Sequence, residues 1–109
     1  MSSEASVEEI WGPEVAAAGW TAVPHLLLDH QHRLDLSSTE LVARLHLLRS
    51  ISGSDGLSRP NVERVAAAMD LGEPSVLRSF EALETMGYVT RQGDAFDLTR
   101  LVERLRIER

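Results

Sequence analysis

The residues of this chain that could bind a metal are its histidines, His25, His30, His32 and His46. On a helix, His25, Asp29 and His32 would share one face, and imidazole and carboxylate groups are ligands that Zn²⁺ accepts. The chain has no cysteine, however, and the HExxH spacing of helical zinc sites is missing. We therefore interpret the histidines as exposed or hydrogen-bonded side chains, and predict neither a metal site nor a cofactor.

Serine hydroxyls beside Asp35 are the remaining candidates for catalysis. The run Ser37-Ser38-Thr39-Glu40 has the form of a capping box, in which Ser37 accepts from the Glu40 N–H and the Glu40 side chain reaches back to the Ser37 N–H. Hydroxyls in this setting begin a helix and are not nucleophiles. A glycine-rich phosphate loop is also missing from the sequence. We predict that the protein is not an enzyme.

Charge and composition limit the partners that the chain can bind. It has 109 residues, a formal net charge of −6 and 11 basic residues, all of them Arg. An acidic protein gains little from diffuse attraction to phosphate, although a local basic patch can still bind DNA. The length suits one domain with its own core. With 43% hydrophobic residues and no long apolar run, a globular cytoplasmic protein without a membrane segment is expected.

The segment from Pro60 to Leu98 has the order of elements that is typical of a winged helix-turn-helix. Two short amphipathic helices are joined by a tight turn and followed by a two-stranded hairpin. The first helix is predicted behind the N-cap residue Asn61, and the turn at Asp70-Leu71-Gly72, with Leu71 in the core. The second helix is predicted over 73–86. Its inward positions recur at i, i+4 and i+7, and they are Val76, Phe80 and Leu83.

The hairpin after Gly87 forms the predicted wing. Strand-like runs at 88–91 and 95–98 flank Gly93, which supplies the positive φ that a tight turn needs. Thr99 is predicted to cap a last helix over 99–107. The apolar face of this helix could pack on the earlier helices or could form the seam of a two-fold dimer, and both remain open. That face consists of Leu101, Val102 and Leu105.

The N-terminal part of the chain is expected to begin with a flexible terminus over residues 1–9, followed by a single winged helix-turn-helix domain over 10–109. Trp11 and Trp20 are expected to be core or interface anchors. The helix over 24–34 and the helix that the capping box begins are each predicted to bury one apolar side. The buried residues expected on these two helices are Leu26, Leu27, Leu28, Leu34, Leu41, Val42, Leu45, Leu48 and Ile51.

Short motifs in a characteristic order run from Trp11 to nearly the end of the chain. They are Trp11-Gly12, Gly19-Trp20-Thr21, Val23-Pro24, Leu36-Ser37-Ser38-Thr39-Glu40-Leu41, Pro60 with Val65-Ala66, Val76-x-Arg78-x-Phe80-x-x-Leu83-x-x-x-Gly87-Tyr88, and Phe96-Asp97-Leu98-Thr99 with Leu101. In these motifs the chain resembles the helix-turn-helix domains of DnaD-like and plasmid- or phage-type replication initiators, and winged-helix regulators more broadly. The fold that this resemblance implies is mainly α with a small β-hairpin wing.

The resemblance also implies that the 73–86 helix lies in a DNA major groove, while the hairpin contacts the neighbouring backbone or minor groove. Arg78 is the foremost candidate, because a guanidinium can bind guanine O6 and N7 in a bidentate manner. Ser75 could bond a base or a phosphate, and Leu77 could pack on a thymine methyl group. The full set of implied DNA contacts is Arg59, Asn61, Arg64, Pro74, Ser75, Leu77, Arg78, Arg91 and Gln92.

Two functions are compatible with the sequence. The first is a module that binds double-stranded DNA, as a homodimeric transcription regulator or a replication-initiator-type protein. The second is an acidic winged helix that serves protein–protein interaction or oligomerisation. The resemblance favours DNA binding. The helix over 73–86, however, contains Glu73, Glu81 and Glu84 and only one basic residue, Arg78, which favours protein–protein interaction. A surface pair with Glu81 at i+3 is the competing interpretation of Arg78.

Overall fold

A computed structural model of the chain describes residues 5–51 and 55–108, and within these ranges it contains seven helices and one antiparallel pair of strands. The expected fold class, mainly helical with a small β-hairpin, is confirmed. The helices are α1 (Val7–Trp11), α2 (Pro13–Ala17), α3 (His25–Asp29), α4 (Ser38–Arg49), α5 (Val62–Met69), α6 (Glu73–Thr85) and α7 (Thr99–Glu108). The strands are β1 (Thr90–Gln92) and β2 (Ala95–Asp97).

Helix α6 provides the centre of the core. Val76, Phe80 and Leu83 are each 0% exposed, so the predicted inward stripe is confirmed. The ring of Phe80 meets that of Phe96 in β2 edge-on, with 5.6 Å between the centroids. Such aromatic contacts add to the gain from burial and fix the relative orientation of the two rings. The wing is thereby attached to the same core as α6.

The turn between α5 and α6 has the expected backbone geometry. Asn61 is the N-cap of α5, and its Oδ1 accepts from the Arg64 N–H at 3.0 Å. Asp70 adopts the left-handed conformation, with φ 54° and ψ 46°. The expectation that Leu71 enters the core was wrong, because this side chain is 37% exposed. Its N–H closes the end of α5 on the Ala66 carbonyl at 3.0 Å, and the side chain stays at the surface.

Helix α4 begins as predicted, and its buried side overlaps the predicted one in part. Its capping box is present, with Ser37 Oγ accepting from the Glu40 N–H at 3.1 Å and Glu40 Oε1 accepting from the Ser37 N–H at 2.9 Å. Val42 and Ile51 were wrongly assigned to the core, since they are 40% and 41% exposed. Leu41 is buried as predicted, and Leu45 and Leu48 are partly buried against the core, but an apolar pattern cannot reveal the burial of a charged residue such as Arg44. The buried residues of α4 are Leu41, Ala43, Arg44 and Leu47.

Helix α3 is shorter than the helix predicted over 24–34. Helix α3 ends at Asp29, and a run of turns leads to Asp35, which has a φ of 59°. Leu27 and Leu34 are buried as predicted, each 1% exposed. Leu28 is 54% exposed, and its assignment to the core was wrong because the three consecutive leucines at 26–28 cannot all face the same side of a helix.

The wing is a tight hairpin supported by a third segment of chain. Strands β1 and β2 pair with Arg91 opposite Phe96, and Gly93 turns the chain with a φ of 64°. Ser58 lies on the other edge of β2, where its N–H and carbonyl both bond the Phe96 backbone at 2.8 Å. Ser58 is 0% exposed, and its hydroxyl donates to the Leu47 carbonyl at 2.6 Å. This side chain therefore joins the wing to α4.

Helix α7 begins at Thr99, which is a helical residue and not the predicted cap. Asp97 takes the capping part, since its Oδ1 accepts from the Thr99 N–H at 2.9 Å and from the Thr99 hydroxyl at 2.7 Å. Leu101 and Leu105 pack into the core of the same domain. Val102 was wrongly placed on the inner face and is 51% exposed, because the buried side of α7 is narrow.

Residues 7–23, which we call the arm, lie largely outside the core. Helix α1 begins at Val7, inside the terminus expected to be flexible, because Ser6 and Glu9 form a second capping box. Residues 1–4 of that terminus lie outside the described residues. Neither α1 nor α2 contains a buried residue. Trp11 and Trp20 are each 64% exposed, which excludes a core role for both.

Candidate nucleic-acid interface

The outward face of α6 carries the candidate base-contacting residues. Pro74, Leu77 and Arg78 are exposed, while Ser75 is partly buried. The Arg78 Nη2 donates to Ser75 Oγ at 2.9 Å, across one turn of the helix. In the described part of the chain Arg78 forms no ion pair with Glu81, so the surface pair considered from the sequence is not made. The guanidinium is thus at the surface with a weak neutral partner.

Acidic side chains share the outer part of α6. Glu73 and Glu81 are exposed, and Arg78 is the only cation in the helix. A carboxylate that faces a phosphate backbone opposes binding, whereas the polar rim of a protein–protein interface tolerates a carboxylate. The face is therefore of mixed charge, and its sign does not select one function.

The wing arginine is already engaged within the fold. The Arg91 guanidinium carbon lies 4.8 Å from the centroid of the Phe96 ring, and its Nε is 3.6 Å from Glu84 Oε1. Exposed cation–π and ion-pair contacts of this kind are each worth only about 1 kcal/mol or less, so a stronger partner can displace them. Gln92 beside it is held loosely, with Nε2 3.4 Å from Asp97 Oδ2.

The two arginines near the start of α5 differ in whether their guanidinium groups are already paired within the fold. Arg59 forms a bidentate pair with Asp55, at 3.2 Å for Nη1–Oδ1 and 2.6 Å for Nη2–Oδ2. Hydrogen bonding from Arg59 and from the Leu57 N–H holds the pKa of Asp55 at about 2. The Arg64 guanidinium, by contrast, has no hydrogen-bond or ion-pair partner within residues 5–51 and 55–108.

The structure separates the nine predicted contacts into three places. Pro74, Ser75, Leu77 and Arg78 lie on α6, and Arg91 and Gln92 lie in the wing. Arg59, Asn61 and Arg64 line a groove between the end of α4 and the start of α5. Three further residues of that groove were missed from the sequence, and their only signal was the polar i, i+3 and i+4 spacing at the end of α4. They are His46, Arg49 and Ser50.

The chain is similar to the N-terminal domain of DnaD. The crystal structure of that domain from Geobacillus kaustophilus HTA426 matches with a TM-score of 0.70 and 27% sequence identity. The match covers 95% of this chain and 90% of that one. No protein family model matches the sequence, and no curated protein matches it. The predicted resemblance to DnaD-like domains is therefore supported over nearly the whole chain, in fold and in sequence.

The histidines do not assemble into the metal site considered from the sequence. Because α3 ends at Asp29, His32 is not on the helical face of His25 and Asp29. Among the described residues, no three His, Asp or Glu side chains come together as a metal site requires. Within the same residues, none of the helices combines the length and apolar character needed to span a bilayer.

Proposed function

We propose that this chain is a winged-helix module of a replication-initiator-type protein and that it binds double-stranded DNA through α6. The observation that carries the proposal is the division of α6 into two sides. Phe80 and its neighbours fix one side in the core, while Pro74, Leu77 and Arg78 stand exposed on the other. A helix held rigidly in this way, next to a β-hairpin, is the arrangement that winged helix-turn-helix proteins place in a major groove.

In this proposal Arg78 releases Ser75 and binds a guanine edge, and Leu77 packs on a thymine methyl group. The wing follows the neighbouring backbone, where the exposed Arg91 exchanges its contact with Glu84 for a phosphate. The similarity to the DnaD domain supports a role in DNA replication over one in transcription. The residues proposed to contact DNA are Arg59, Asn61, Arg64, Pro74, Ser75, Leu77, Arg78, Arg91 and Gln92.

The test is selection of bound duplexes from a random library, followed by fluorescence anisotropy with the selected site. We expect Arg78→Ala to weaken binding by about 1–3 kcal/mol and to relax one base position, since it removes a bidentate contact. Arg106→Ala is the matched control, because this arginine lies on the exposed part of α7. Absence of salt-sensitive binding to any duplex at low ionic strength would refute the proposal.

A second candidate function is self-assembly through the arm, and a specific observation favours it. The arm buries none of the side chains of α1 and α2, and it exposes four large apolar residues within eleven positions of chain: Ile10, Trp11, Val15 and Trp20. Large apolar side chains that a short segment leaves exposed can mark an interaction site. The arm therefore offers a better dimer seam than α7, whose Leu101 and Leu105 are already used by the core.

The partner proposed for the arm is a second copy of the chain. Beside the arm, an open groove of about 870 Å³ is lined by Trp20, by Leu48 near the end of α4 and by Ile51 beyond that helix. In this proposal the apolar side chains of another arm pack on Trp20, Leu48 and Ile51, and a two-fold axis would let each copy cover the other. Assembly and DNA binding are compatible, because dimers read paired half-sites.

A further inference from the structure

The groove between the end of α4 and the start of α5 concentrates positive charge in an acidic protein. It encloses about 250 Å³, which exceeds the roughly 30 Å³ that one water molecule occupies. None of the described residues that line it is acidic, although the whole chain has a net charge of −6. Its polar lining consists of His46, Arg49, Ser50, Arg59, Asn61 and Arg64.

Two of the three arginines are available to a ligand. Within the described residues the guanidinium groups of Arg49 and Arg64 make no hydrogen bond or ion pair, and both side chains are exposed. Arg59 is held by Asp55 at the edge of the groove. The pairing with Asp55 cancels much of its charge but fixes its position, so Arg49 and Arg64 carry the unneutralised charge.

His46 lines the same groove and lies near the positive charge of Arg49. Partial burial lowers its pKa, and the nearby charge of Arg49 lowers it further. The imidazole therefore enters the groove neutral at pH 7 and can donate one N–H without adding to the repulsion between the arginines. Asn61 Oδ1 is used to cap α5, which leaves its amide N–H groups as donors.

We infer that this groove is an oxyanion site that takes a phosphate group between Arg49 and Arg64. Guanidinium groups from two helices can bind different oxygens of one phosphate, and such charge-assisted hydrogen bonds are stronger than neutral ones. The phosphate could belong to a small phosphorylated molecule or to the backbone of a DNA duplex. In the second case the inference rests on the proposed function.

The first arm of the test uses inorganic phosphate as the probe, titrated at constant ionic strength and followed by NMR. We expect saturable shifts of the His46 imidazole and of the Arg49 and Arg64 side-chain Nε–H signals. The double variant Arg49→Gln/Arg64→Gln should raise the phosphate dissociation constant obtained from the His46 shifts at least tenfold. Arg106→Gln should leave this constant unchanged. Thermal melting of both variants checks that these exposed substitutions leave the fold intact.

The second arm uses a DNA duplex and measures the dependence of affinity on salt. Each lost phosphate contact should reduce the slope of log K against log salt by roughly 0.9. The double variant should therefore show a slope reduced by about 1.8, whereas Arg106→Gln should not change the slope. A reduced slope assigns the groove to the DNA backbone. Phosphate-dependent shifts with an unchanged slope, or with no DNA binding, assign it to a small phosphorylated ligand.

The inference would be overturned if phosphate caused no shifts and the double variant left the salt slope unchanged. That result would leave the proposed function intact if the wild-type protein still bound DNA in a manner that depends on Arg78. Conversely, a wild-type protein that binds phosphate in the groove but no duplex at all would refute DNA binding and keep the phosphate site.

Discussion

The guanidinium of Arg44 is buried beneath the start of α7 and donates from Nη2 to the Leu98 carbonyl at 3.4 Å. Arg44 is only 3% exposed, and its Nε and Nη1 have no hydrogen-bond partner among the described residues. Burial lowers its pKa to about 10, so the group is still charged at neutral pH. A buried cation with one long hydrogen bond destabilises a fold, because its lost hydration is poorly replaced.

Replacing Arg44 by methionine should therefore stabilise the domain. Methionine has a similar unbranched shape and no polar atoms to satisfy, and we expect the free energy of unfolding to rise by about 1–3 kcal/mol. Urea denaturation measures the change. Arg49→Met on the exposed side of the same helix is the control and should change stability by less than about 0.5 kcal/mol. A clear loss of stability in Arg44→Met would show that the guanidinium is better satisfied than its geometry indicates.

Asp97 should contribute stability that depends on pH. The Thr99 N–H and then the Thr99 hydroxyl, by hydrogen bonding, lower the pKa of Asp97 from its ordinary value of 3.8. The ionised form is thus favoured in the folded state, so the stabilisation is complete above 3.8 and is lost as pH falls through the lower folded pKa. Asp97→Ala should reduce the free energy of unfolding at pH 7 by about 0.5–2 kcal/mol, as loss of a cap does.

The measurement for Asp97 is urea denaturation of the wild type and the variant at a series of pH values between 7 and 2. The difference in the free energy of unfolding between the wild type and the variant should decrease as the pH falls toward 2. Asp94→Ala, at the exposed tip of the hairpin, should show little change at any pH. A gap for Asp97→Ala that stays constant with pH would show that the carboxylate charge is not the cause.

Gly87 should be far less replaceable than Gly72. Gly87 ends α6 with a φ of 82°, and the N–H groups of Gly87 and Tyr88 bond the carbonyls of Glu84 and Leu83, each at 3.0 Å. An added Cβ at Gly87 meets no atom within 4 Å, so Gly87→Ala should cost about 1–2 kcal/mol from backbone strain alone. Thermal or urea unfolding tests this prediction.

The control for Gly87 is Gly72→Ala at the other end of the same helix. Gly72 has a φ of −73°, and an added Cβ would lie 3.6 Å from Pro74 Cδ, an ordinary contact. This substitution should change stability by less than about 0.5 kcal/mol, because any L residue adopts the conformation. Equal effects of the two substitutions would contradict the explanation from positive φ.

The exposed tryptophans of the arm should control self-association. If a second copy covers the arm, Trp11→Ser/Trp20→Ser should raise the dimer dissociation constant at least tenfold, while unfolding of the monomer changes little because neither residue is buried. Sedimentation at several concentrations measures the constant. Leu28→Ser, which is 54% exposed but outside the arm, is the control. A wild-type protein that stays monomeric at high concentration would refute assembly through the arm.

The local features of this protein could be predicted from its amino-acid sequence alone. The capping box at Ser37, the cap at Asn61, the turn that begins at Asp70 and the turn at Gly93 were all predicted correctly. Each depends on the conformational preference of one residue or on hydrogen bonds within four positions, which neighbouring residues settle. The inward stripe of α6 was also predictable, because its apolar period matches the helical repeat and has one strong solution.

Contacts between segments that are distant in sequence determine which apolar residues enter the core and which charged residues come together. Helix α4 has apolar residues on more than one side, and its buried side is the one that packs on α6 and bonds Leu98 and Ser58, all of which are distant in sequence. The groove likewise joins residues of α4 to residues of α5, and within the arm, residues 7–23, only Val23 packs against the core. Periodicity reveals that a side is apolar, but burial depends on whether another segment arrives to cover it.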